Sequence, residues 1–190
     1  MRVFRTAPYW CAAMHVVAGI GALTLLRGGS EAIPNIRERI AYLARYPERW
    51  RAGWLLWMLA ALTLLAFYAW WGNRIGKLWP VAIAAVGLAC DWSGESIFIG
   101  WIPRPDTRLY RTAALLTGGA GNGLYTIAAI ALTRATRQLP WRSLAWCAWS
   151  AGAGLTITTI AGSDAGITVT SALLMLFFIP WVVIAGKRMP

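Results

Sequence analysis

Val86-Gly87-Leu88-Ala89-Cys90-Asp91-Trp92-Ser93-Gly94-Glu95-Ser96-Ile97-Phe98 is the stretch whose reading decides the fold. Without its two carboxylates it would be the middle of an unbroken apolar block over 78–103. Such a block is long enough to cross a bilayer core of roughly 30 Å at about 1.5 Å per residue. An aspartate at the centre of a lipid-exposed helix costs roughly 2.5 to 3.5 kcal/mol on insertion scales. Such residues normally face a partner or a water-filled cavity. The stretch is either a poor soluble helix or a membrane span with an internal site.

The rest of the chain settles which. Of 190 residues, 58% are hydrophobic and 13% charged, about half the charge of an ordinary soluble domain. Further blocks without Asp, Glu, Lys or Arg run over 6–26, 52–73, 112–133, 143–163 and 165–186. The fold class expected is therefore all-α: a polytopic membrane protein, one domain over 1–190. Its six spans are expected at 8–26, 52–72, 79–101, 112–133, 143–162 and 165–186. The first block follows a basic start, Met1-Arg2-Val3-Phe4-Arg5, but is long for a signal peptide and lacks a clear small-residue cleavage site, so it reads as a retained span. Trp54 and Trp57 at one end of the second block and Trp70-Trp71 at the other are placed as an aromatic belt would be.

Between the first two spans, Ile33, Ile36, Ile40 and Leu43 recur at helical spacing, with Arg37, Glu38, Arg39 and Arg45 largely elsewhere. This predicts a short amphipathic helix over about 34–46 in the headgroup region, ended by Pro47, either as a plain interfacial linker or as a lid over one mouth. Ile102-Pro103-Arg104-Pro105-Asp106-Thr107-Arg108 predicts a stiff turn. Asp164 is expected as a helix cap or turn residue.

A net charge of +11 would suggest nucleic acid in a soluble protein, but here nearly every Lys and Arg lies in a connection or at a span end, beside lipid headgroups. No nucleic-acid partner is expected. Cys11, Cys90 and Cys147 stand singly in different blocks, as small apolar fillers rather than metal or redox pairs. His15, the one histidine, cannot supply the paired axial ligands of a membrane haem. No P-loop, dinucleotide fingerprint or serine elbow occurs. No cofactor and no metal is expected, and no catalytic residue is assigned.

Asp91 and Glu95 lie one turn apart on one helical face, near the middle of their span. Two carboxylates about 6 Å apart in a low dielectric do not both ionise cheaply. A shared proton, a bound cation or a His15 imidazolium would compensate. His15, Asn122 and Tyr125 fall near the same depth, and Trp92 offers a ring face to a cation. The candidate ligand-binding set is Asp91, Glu95, His15, Asn122, Trp92 and Tyr125. In the plainer reading these groups only fix helix packing. Gly118-Gly119-Ala120-Gly121-Asn122-Gly123, with Gly119 and Gly123 at small-xxx-small spacing, provides either a packing seam or the smooth wall of a cavity.

Three functions fit. The first is a small transporter for a proton, a cation or a cationic or amphiphilic small molecule, homo-oligomeric at this size. The second is an intramembrane acid–base enzyme acting on a lipid or isoprenoid, and the third an accessory subunit of a larger membrane complex. The partners expected are lipids, such a ligand, and further copies or other subunits. A bacterial inner membrane is the expected location. Lys and Arg divide evenly between the two sides, so the acids Glu31, Glu38, Glu48 and Asp106, all opposite the termini, place the termini in the cytoplasm.

Overall fold

The computed structural model describes residues 6–100 and 106–189. Among them there is no strand, and six helices are long and apolar enough to cross a membrane. Span one is Ala7–Gly29, span two Pro47–Ile75, span three Trp79–Gly100, span four Thr107–Ala135, span five Arg142–Ala161 and span six Asp164–Arg188. The protein is an all-α polytopic membrane protein. Its outward faces carry the apolar side chains lipid demands; Trp10, Leu23, Ile157 and Leu176 are each more than 60% exposed.

Two spans begin five residues earlier than predicted, each for a local reason. Pro47 ends the interfacial helix and also opens span two, where its missing N–H is no loss in a first turn. In span four the Asp106 carboxylate accepts from the Arg108 amide and caps the helix. The rest of the proline turn predicted there lies outside the described residues. Two stretches are π-helical, Ala22–Leu26 in span one and Leu115–Gly121 in span four. Such wide turns are rare and frequent at functional sites.

Each span packs on its neighbours in the sequence, and span six returns to span one, so the six form a ring. Terminally, aromatic side chains plug the ring. Trp71 and Trp149 each stand 5.2 Å from Trp181, ring centre to ring centre, with Phe67 at 5.8 Å. Their indole N–H groups are satisfied: Trp71 donates to Thr136 Oγ1 at 2.9 Å and Trp149 to Thr133 Oγ1 at 2.8 Å. Trp70, Trp71 and Trp149 are buried rather than forming a lipid-facing belt. With partners for their N–H groups inside, Trp71 and Trp149 need no headgroup water, whereas the Trp70 Nε1 is buried without a partner among the described residues.

At the opposite end lies the interfacial helix, Ile36–Arg45, whose first amides are capped by Asn35. One expectation fails here: Arg39 belongs to the buried face, 4% exposed. Its Nη2 donates to Asp164 Oδ2 at 2.6 Å, joining this helix to the start of span six. Burial opposes the Arg39 cation, but the Asp164 hydrogen bond, with the charge of Asp164 and Glu31, holds its pKa above the ordinary value. Asp164 is thus not the cap of span six; Ser163 is, accepting from the Gly166 amide.

Candidate functional site

The ring encloses a cavity of about 860 Å³, in the range of small-molecule sites. It runs from the aromatic plug, where Trp149 and Phe178 line it, to the mouth under the interfacial segment, where Arg27, Ser30 and Glu31 do. Asp91, Glu95, His15, Asn122 and Tyr125 all line it. Trp92 does not. One residue on from Asp91 it is turned about 100° around the helix, and its Nε1 donates to the Met58 carbonyl of span two at 3.2 Å.

Close approach of spans three and four sets the acidic wall. A Cβ on Gly94 would stand 2.7 Å from the Ala113 carbonyl oxygen, and one on Gly121 would stand 2.9 Å from the Asp91 Cβ. Of the predicted Gly119 and Gly123 pair, Gly119 has only ordinary contacts and a Cβ on Gly123 would meet Thr156 of span five at 3.3 Å, so the seam with span three uses Gly94 and Gly121 instead. At this short separation the Tyr125 hydroxyl reaches across and donates to Asp91 Oδ2 at 3.1 Å. Asn122 Nδ2 donates to the Gly152 carbonyl at 2.7 Å and to Thr156 Oγ1 at 2.9 Å, pinning span four to span five.

Glu95 is 2% exposed and makes no hydrogen bond among the described residues; its Oε2 is buried without a partner. The indole Nε1 of Trp54 and the Oγ1 of Thr159 are buried and unpartnered as well, and both residues line the same cavity. Three orphaned polar atoms around one space is unusual, because an unmet buried donor or acceptor costs about 1 to 3 kcal/mol. His15 sits against the plug, 5.1 Å from the Phe178 ring, and its Nδ1 lies 2.8 Å from the Cys11 carbonyl. That contact requires a proton on Nδ1, so in the neutral ring the lone pair is on Nε2.

No protein-family model, curated protein or solved structure matches this chain. The geometry alone speaks for the site. Three carboxylates line the cavity, Asp91, Glu95 and Glu31, against one guanidinium, Arg27. The chain has only seven acids against eighteen Lys and Arg, so three carboxyl groups on the wall of one cavity are a local concentration of acids. Among the described residues no three His, Cys, Asp or Glu side chains are grouped to hold a metal ion.

The sequence reading missed Glu31, Tyr110, Trp54 and Thr159. Tyr110 donates to Glu31 Oε1 at 2.9 Å, at the mouth. Glu31 lies in an irregular connection, where no periodicity points inward. For Trp54 a signal existed: Trp50, Trp54 and Trp57 recur at i, i+4 and i+7, one face of a helix, and all three line the cavity.

Proposed function

We infer that this chain is a small membrane transporter that binds a proton, a cation or a cationic amphiphile at Asp91 and Glu95. The observation carrying this reading is the buried, unpartnered Glu95 carboxylate beside Asp91 in a cavity plugged at one end. A site at mid-depth, closed toward the terminal side by the aromatic plug, is the form one state of alternating access requires. Orphaned groups around it are what a bound ligand would satisfy. Reconstituted into proteoliposomes, the protein should support pH-dependent uptake of a lipophilic cation, and Asp91→Asn should abolish it. Unchanged uptake in the Asp91→Asn, Glu95→Gln double variant would exclude the site.

The location proposed is the bacterial inner membrane, with the termini cytoplasmic and the mouth outward. In cells carrying Ala32→Cys and otherwise free of cysteine, an impermeant thiol reagent added outside should then label the protein; labelling only after lysis reverses the orientation. Self-association is proposed from the small size of the chain, and cross-linking in native membranes tests it.

One observation favours an acid–base enzyme acting on a lipid or isoprenoid instead. The His15 Nε2 lone pair and the two carboxylates belong to one water-poor space, where a base and an acid would work together. Turnover of a lipid by the purified protein, lost in His15→Gln, would replace the transport reading.

A further inference from the structure

Spans one and six pack closely near the plug. There a Cβ on Gly186 would touch Pro8 at 2.8 Å, and His15 packs on Phe178. Toward the mouth the two spans part. No residue of span six before Phe178 is buried, yet Ile167, Ser171 and Met175 line the cavity. They do so together with Gly19, Ala22 and Leu23 of span one, and Leu23 is 72% exposed. A Cβ on Gly19 would meet nothing within 4 Å. The cavity therefore has a second opening, a cleft between spans one and six at the depth of the bilayer. The edge of span one along that cleft is the π-helical stretch Ala22–Leu26.

The two openings are not alike. Over the mouth, the Arg39–Asp164 pair joins the interfacial helix to span six, and the Tyr42 hydroxyl donates to the Leu25 carbonyl at 2.7 Å. Among the described residues the side cleft carries no such tie, and it is edged by apolar and small side chains.

We propose that the ligand is a single-chain alkylammonium, an amphiphile that enters from the mouth-side leaflet through the cleft between spans one and six. Its ammonium group lodges at Asp91 and Glu95, and its chain lies along the apolar wall toward the cleft. The chemistry on each side of the cleft selects this class. A hydrated inorganic cation leaves the mostly apolar wall unmatched, and a neutral lipid brings no charge to offset the Asp91–Glu95 pair. An ammonium N–H donates to Glu95 Oε2, and Trp54 and Trp57 line the same cavity as aromatic walls. This identification rests on the cation-binding reading above, and its test separates the two.

The probes are dodecylammonium and methylammonium, with the full chain in lipid nanodiscs. The readout is the rate at which a maleimide modifies Thr117→Cys, on the cavity wall, in a protein otherwise free of cysteine. Dodecylammonium should slow modification at concentrations on the order of a hundredfold below methylammonium, since the chain is bound as well as the charge. Gly19→Trp, which fills the cleft, should delay the onset of protection, whereas Arg39→Gln, which loosens the mouth, should leave it unchanged. Ser171→Trp fills the same cleft from the opposite side and serves if Gly19→Trp does not fold. Unchanged onset in both tryptophan variants with faster onset in Arg39→Gln overturns the lateral route. Equal potency of the two probes, or no protection by dodecylammonium, overturns the ligand class but leaves the cation site standing if methylammonium protection depends on Asp91 and Glu95. Undiminished protection in the Asp91→Asn, Glu95→Gln variant removes the cation site itself.

Discussion

Glu95 is the least satisfied side chain of the cavity. Held without a hydrogen bond and 2% exposed, it costs folding free energy that a packing role would not require. Replacing a buried, uncompensated carboxylate by its amide relieves desolvation, so Asp91→Asn with Glu95→Gln should leave the melting temperature in detergent unchanged or raise it. A clear fall would mean that the pair holds helices together. Tyr125→Phe is the converse case, removing the 3.1 Å bond to Asp91 and costing about 1 kcal/mol, a small drop in the same melting measurement. Asp91, Glu95, His15, Asn122 and Tyr125 were legible as candidates because ionisable and amide groups at mid-depth are costly anywhere but inside. Trp92 was misread because adjacency in sequence is not adjacency on a helix face.

At the scale of elements, the seam between spans three and four places the acidic wall within reach of Tyr125. Gly94→Ala would put a methyl 2.7 Å from a backbone oxygen that cannot move without its helix. It should destabilise by about 1 to 3 kcal/mol, read as a lower melting temperature. Gly19→Ala, facing open space, should change nothing. Equal effects at the two glycines would refute the close approach. Span existence was plain in the sequence, since uncharged blocks of about 20 residues have few other uses. Span starts were less so. The capping bond of Asp106 and the dual role of Pro47 are local geometry, and a hydropathy window averages over them.

For the whole molecule, the decisive feature is a ring plugged by aromatics at one end and latched across the other by Arg39 and Asp164. Arg39→Gln should raise the rate at which a charged thiol reagent modifies Thr117→Cys, because the interfacial helix loses its tie to span six. An unchanged rate would make that helix a passive linker. The sign of the pH effect follows from the raised Arg39 value. A cation stabilised on folding contributes fully below its unfolded value, and the contribution disappears only above the folded one. For a guanidinium both values lie beyond the working range. The ratio of the labelling rates of the Arg39→Gln and parent proteins, in which the thiolate fraction of the probe cysteine cancels, should therefore stay constant from about pH 6 to pH 10, and a strong dependence of that ratio would assign the latch to another group.

What the sequence determined by itself was the solvent, the number of spans and the depth of the acids. Each of these depends on composition along one dimension, against a bilayer of known thickness. What only the tertiary structure decided was which groups meet. The tryptophans became a plug because Thr133 and Thr136 happen to stand opposite Trp149 and Trp71. Arg39 turned inward because Asp164, 125 residues away, gave it a partner. Glu31, Trp54 and Thr159 joined the site for the same reason, as contacts between distant segments leave no trace in local periodicity. Asp91 and Glu95 could be placed at mid-depth from the chain alone, but the cavity they face exists only because six helices close into a ring.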